Sequence, residues 1–137
     1  MGSFSQLTYH IVFGTKYRKP IITSGCREEL YRYMGGVIRD KDGCSVEIGG
    51  VDGHVHVLAR LSAVHAVAAV VRELKANSSK WMSEKFTRSF EWQKGYGAFT
   101  VSFDRTESVT DYIRNQEKHH EYKKNGFTHL VHRLLPN

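Results

Sequence analysis

Cysteine is scarce in this chain of 137 residues: Cys26 and Cys44 stand far apart, outside any CxxC spacing. That argues against a disulfide framework and reads as two reduced thiols of a cytosolic protein. Long apolar runs are missing too; none approaches the ~20 residues that a membrane-spanning helix needs. The opening "MGSFSQL" lacks a basic segment followed by an apolar one, so no secretory signal is expected. Gln6 stands where a myristoylation motif wants Ser or Thr. No repeat, linker or low-complexity tract breaks the chain, so a single domain over 1–137 is expected, placed in the cytoplasm with no membrane partner.

What is present is an ordinary globular composition, 40% hydrophobic and 25% charged, which excludes wholesale disorder. The formal net charge is +6 and the sequence pI is near 9.4. Such a balance favours a polyanionic partner, most often nucleic acid, although many small basic proteins bind none.

Patterning along the chain predicts seven elements. "QLTYHIVFGTKYR" is rich in Tyr, Ile, Val and Phe and reads as a strand. "TSGCREELYRYMGGVIRDKDG" reads as a helix with Ser24 as cap and Leu30, Met34, Val37 and Ile38 as its apolar stripe. "CSVEIGGVDGHVHVLARL" holds two strands around a glycine-rich turn. The stretch from Ser62 onward places Val64, Val67, Val71 and Leu74 on one helical face. "GAFTVSFD" alternates as a strand, and "TESVTDYIRNQEKHHEYKKNG" reads as a last helix capped by Thr106 and ended at Gly126. Strand, helix, strand, strand, helix, strand spells the split βαβ pattern of a ferredoxin-like α+β fold. It predicts an antiparallel sheet with helices on one face. The other face is then open to a ligand or a second subunit.

In "VDGHVHVLAR" the side chains alternate between sheet faces. Val51, Gly53, Val55, Val57 and Ala59 are apolar or small and should face the helices. Asp52, His54, His56, Leu58 and Arg60 share the opposite face, with the two imidazoles roughly 7 Å apart along the strand. The spacing fits one shared cation, and it fits equally two hydrated imidazoles on a wet face. A site would need a third ligand. On the last helix Tyr112 and Gln116 are four residues apart and share a face, with Asn115 and His119 beside it. Tyr112 fits simple packing. Gln116 is harder to account for that way, because a buried amide needs partners. Its carbonyl oxygen beside two imidazoles suits Mg²⁺ or Mn²⁺ with open positions for phosphate and water, whereas Zn²⁺ more naturally recruits Cys or a carboxylate.

"HVH" on a strand followed by "YIRNQ" on a helix resembles the single-tyrosine HUH transposases of small prokaryotic insertion sequences, with the REP-associated tyrosine transposases as close relatives. "LTYHIVFGTKYRKP", "LKANSSKW" and "WQKGYGAFTVS" fit the same family in order and spacing. The resemblance implies cleavage and rejoining of single-stranded DNA near imperfect hairpins. It implies His54, His56 and Gln116 as metal ligands and Tyr112 as the nucleophile that forms a 5′-phosphotyrosine link. It also implies a homodimer in which the tyrosine helix completes the partner's site; in this sequence "QKGYG" offers a flexible stretch ahead of that helix, and "SFDRTES" is the expected hinge. Asp52 could orient a ring or a water, or serve only as a turn residue. Lys16, Arg18, Lys19, Arg72, Lys75, Lys80, Arg114 and Lys118, with Lys85, Arg88, Lys123 and Lys124, are candidate phosphate contacts, interleaved with Tyr17, Trp81, Phe90 and Trp92. Two other readings compete: a non-catalytic nucleic-acid-binding module, or a domesticated repeat-DNA nuclease. An RNA platform of the RRM type is disfavoured because no aromatic-rich strand motif is present.

Overall fold

The computed structural model describes residues 5–116. His119, Lys118, Lys123, Lys124 and Gly126 lie outside the described residues, as does the end of the last expected helix. The elements follow the predicted order: β1 (Gln6–Gly14), α1 (Arg27–Asp40), β2 (Cys44–Val51), β3 (His54–Ser62), α2 (Val67–Lys85), β4 (Gly97–Val101) and α3 (Thr106–Arg114). The strands form one sheet in the order β2-β3-β1-β4, with every neighbouring pair antiparallel. This is the expected ferredoxin-like α+β arrangement.

Strand parity decides the two faces. Ile11 and Phe13 of β1 and Val55, Val57, Ala59 and Leu61 of β3 enter one core with Leu30, Met34 and Ile38 of α1 and Val70, Val71, Leu74 and Met82 of α2. Each of these side chains other than Ala59 gains about 1.5–3 kcal/mol on burial. The segment before β4 closes the end of this core. There Trp92 meets Phe13 and Phe90 edge-on, with ring centroids 4.7 and 4.8 Å away. Its indole N–H donates to Ser78 Oγ at 2.9 Å. Phe90 and Trp92 are therefore core residues, and Trp81 stacks on Tyr33 over the core's edge.

Three local expectations are corrected. Val64 does not join a helix: α2 starts at Val67, after the extended Ala66, and Val64 lies in a turn at 83% exposure. The buried residues of α2 are Val70, Val71, Leu74, Ser78 and Met82, so Val71 and Leu74 keep their expected place and Val67 packs at its edge. Ser24 does not cap α1, because the Thr23 carbonyl takes the first amides, those of Cys26 and Arg27. Thr106 does not cap α3 either: its hydroxyl donates back to the Ser102 carbonyl, and a 3₁₀ turn over Phe103–Arg105 feeds the helix directly.

The face of the sheet away from α1 and α2 is partly covered as well. α3 crosses β2 and β3 there. Ile113 is seated on Gly49, and Arg114 Nη2 donates to Glu47 Oε1 at 3.1 Å. No helix among the described residues is long and apolar enough to cross a membrane.

Candidate active site

His54 and His56 occupy the face that parity assigns them, but the face is not wet. They are 3% and 0% exposed. Their ring centroids are 5.1 Å apart, set edge to face. α3 packs on this face and sets Tyr112 against His56. The Tyr112 ring centroid is 5.8 Å from that of His56, at an interplanar angle of 76°.

A third imidazole, outside the expected set, completes the cluster. His10 on β1 is fully buried, and its Nε2 is hydrogen-bonded to His56 Nδ1 at 2.8 Å. The β1–β3 register pairs Val12 with His56 and His10 with Leu58, which puts all of them on one face. The sequence does carry a signal: His10 alternates with the core residues Ile11 and Phe13, so it has to face the other way. Burial holds the His10 pKa down at about 4, because a low-dielectric site disfavours the imidazolium. His10 is therefore neutral near pH 7.

Gln116 lies just past α3, one turn beyond Tyr112. It is 2% exposed, and its Oε1 has no hydrogen-bond partner among the described residues. No group of three or more His, Cys, Asp or Glu side chains among the described residues has a geometry fit for a metal ion. A set made of two imidazoles and an amide oxygen is of a different kind. By donor type, two imidazoles and a buried carbonyl oxygen with no partner among the described residues suit a hard or borderline cation such as Mg²⁺ or Mn²⁺.

The other candidates divide by position. Asp52 lies in the β2–β3 turn, and its carboxylate accepts from Arg27 Nη2 at 2.5 Å. It is thus engaged with α1 rather than with a ring. Asn115 is exposed, and its side-chain amide donates to the Asp111 carbonyl at the end of α3. Lys16, Arg18 and Lys19 lie in the loop after β1, which is bound to the turn leading into His54. Thr15 donates to the Gly53 carbonyl, and Ile22 N donates to that of Asp52. Tyr17 and Arg18 hold positive φ angles of 60° and 54°, a strained backbone for side-chain-bearing residues. Lys16 pairs with Glu91 at 3.1 Å. Arg114 is on α3, paired with Glu47. Arg72 and Lys80 are carried by α2, behind the opposite sheet face. Lys75 is a structural cation: its ammonium donates to the carbonyls of Gln93 and Gly95 at 2.7 and 2.8 Å, and burial lowers its pKa. A cleft of about 350 Å³ opens between α1, β2 and α3, bordered by Arg27, Tyr31, Glu47 and Arg114.

The fold and site together define an α+β protein whose antiparallel sheet presents buried histidines to a helix-borne tyrosine. A sequence profile described as "Transposase IS200 like" matches residues 3–116, and the chain belongs to that family. It is thus a transposase, a DNA-processing enzyme. Solved structures of similar fold include a candidate transposase from Deinococcus radiodurans R1. It is 24% identical, with 85% of this chain and 95% of that one covered and a TM-score of 0.69. Another is the REP-associated tyrosine transposase bound to a REP hairpin, at 17% identity, with 87% and 72% covered and a TM-score of 0.65. No curated protein matches the sequence.

Proposed function

We propose that this transposase cuts and rejoins single-stranded DNA beside imperfect hairpins, with Tyr112 as nucleophile and a divalent ion held by His54, His56 and Gln116. The observation that carries the reading is the Gln116 side chain. A buried carbonyl oxygen with no partner among the described residues, one helical turn from a tyrosine, is costly to leave unbound, by about 1–3 kcal/mol. Mg²⁺ or Mn²⁺ at this site would polarise the scissile phosphate.

The chain's own residues do the rest. A protonated phenol is a weak nucleophile, so Tyr112 sheds its proton as it attacks. An Oη–phosphorus bond forms while the bond from phosphorus to the 3′-oxygen breaks. That oxygen leaves as a 3′-OH after taking up a proton, and the downstream strand stays on Tyr112 through its 5′-phosphate. A 3′-OH from another end then attacks the same phosphorus and expels the phenolate. One ester is exchanged for another at each step, so no outside energy source is required. α3 seats the tyrosine beside the His10 and His56 rings. Lys16, Arg18 and Lys19, on the loop bound to the turn that leads into His54, and Arg114, on the helix of Tyr112, are the proposed phosphate contacts.

The hairpin-bound relative of like fold supports hairpin DNA as the partner. The chain is proposed to act as one transposase domain over 1–137 and as a homodimer, with the segment between β4 and α3 able to carry α3 to the partner's sheet. The test is incubation with Mn²⁺ or Mg²⁺ and hairpin DNA labelled at either end, followed by a denaturing gel. A 3′-labelled fragment should travel with the protein and a 5′-labelled fragment should be released. Both should vanish in Tyr112→Phe. Release of labelled DNA by Tyr112→Phe, or binding without any cleavage by the wild type, would overturn the reading, the latter in favour of a binding module.

A further inference from the structure

We infer that His10 is a positioning residue that fixes which nitrogen His56 offers to the cation. The inference rests on the metal-site reading above. Its basis is the 2.8 Å contact between His10 Nε2 and His56 Nδ1, deep in the sheet face. A neutral imidazole carries one N–H, so each ring can donate at one nitrogen and accept at the other. Two arrangements satisfy the contact. If His10 donates, His56 holds its own proton on Nε2 and cannot bind a metal there. If His56 donates from Nδ1, its Nε2 carries the lone pair that a cation requires, and His10 carries its proton on Nδ1. Cation binding through Nε2 thus selects the second arrangement, and His10 must serve as the acceptor. Ligating histidines commonly give their second N–H to a carboxylate or carbonyl, which fixes ring orientation and raises ligand basicity. Here an imidazole from a neighbouring strand takes that place.

The surroundings make the arrangement specific. His10 and His56 are both 0% exposed, which keeps bulk water from substituting for either ring. The His10 ring also stands 6.4 Å from Phe99 and 6.4 Å from Tyr112, between β4 and α3. One ring therefore touches a ligand and borders the nucleophile. Shifting it would tilt His56 and Tyr112 together.

The test uses the full chain with His10→Gln, which keeps an acceptor, and His10→Phe, which keeps a ring and removes both nitrogens. Two readouts go beyond activity: the ¹⁵N shifts of the His56 ring without metal and with Mg²⁺, and Mn²⁺ affinity from the free-ion EPR signal. Wild type should show His56 protonated at Nδ1 with Mg²⁺ present. His10→Phe should lose that preference and bind Mn²⁺ about 10–100-fold more weakly. His10→Gln should recover most of both. A folded His10→Phe with the wild-type tautomer and Mn²⁺ affinity would overturn the inference while leaving the metal site standing. If His10→Phe does not fold, His10→Gln decides: a His56 protonated at Nε2 with unchanged affinity contradicts the role. Wild type that binds no Mn²⁺, yet whose His56 tautomer follows residue 10, would overturn the metal reading and leave the His10–His56 coupling intact.

Discussion

Ile113 rests on Gly49. A Cβ at Gly49 would stand 2.7 Å from the Ile113 carbonyl oxygen and 2.9 Å from Ile113 Cγ2. The register places Gly49 opposite His56. The missing side chain on β2 is thus what lets the tyrosine helix approach the histidine strand. Gly49→Ala should lift α3, destabilising the fold by about 1–3 kcal/mol in urea titration and suppressing adduct formation well below what that loss of stability explains. Activity in proportion to the folded fraction would mean that the helix does not need this seat.

Gln116→Leu is expected to move two measurements in opposite directions. Removing a buried carbonyl that has no partner among the described residues should leave metal-free stability unchanged or raised by about 1 kcal/mol. The rise in melting temperature on adding Mn²⁺ should shrink or disappear, because that rise reports binding to the folded state. Destabilisation of the metal-free protein with an intact Mn²⁺ response would argue that the amide is structural.

His10 predicts an acid-side loss of stability in the metal-free protein. Its unfolded pKa is the ordinary 6.5 and its folded value is about 4. Below pH 6.5 the unfolded chain takes up a proton that the folded chain refuses. Stability is therefore complete above 6.5, falls as pH drops toward 4, and levels off below that. The span amounts to roughly 3 kcal/mol. Denaturant titrations of wild type and His10→Gln at pH 7 and 4.5 should show a smaller loss in the variant. Parallel losses would place the acid sensitivity elsewhere.

The basic residues separate into holders of the fold and candidate holders of DNA. Lys75→Met should destabilise by about 1–3 kcal/mol through the carbonyls of Gln93 and Gly95, with an unchanged salt dependence of DNA binding. Lys19→Ala should do the reverse, reducing the slope of log affinity on log salt by about 0.7 for a lost single-strand phosphate contact. A flattened salt slope in Lys75→Met would return that lysine to the DNA.

Local periodicity in the chain carries much of the fold. Period-two alternation in 54–61 assigns His54 and His56 to their face, and helical spacing assigns Leu30, Met34, Val37 and Ile38 to the buried stripe of α1. Alternation reports a face but not what covers it. The histidine face reads as wet because nothing local says that α3 folds over it. His10 escapes notice for a related reason: its partner lies 46 residues away, and only the β1–β3 register brings them together. Lys75 looks like a phosphate contact because its charge is local while its carbonyl partners are not. Gly49 and Gly50 in "EIGGV" signal close backbone approach inside a strand, though that stretch alone does not name the approaching helix.

The central claim is that Tyr112 carries the DNA. Mass spectrometry of the wild-type protein, digested after reaction with Mn²⁺ and hairpin DNA, tests it most directly. The account predicts a 5′-phosphonucleotide on the peptide containing Tyr112, absent when metal is chelated. The same mass addition on the peptide of Tyr17 or Tyr96, with Tyr112 unmodified, would contradict it.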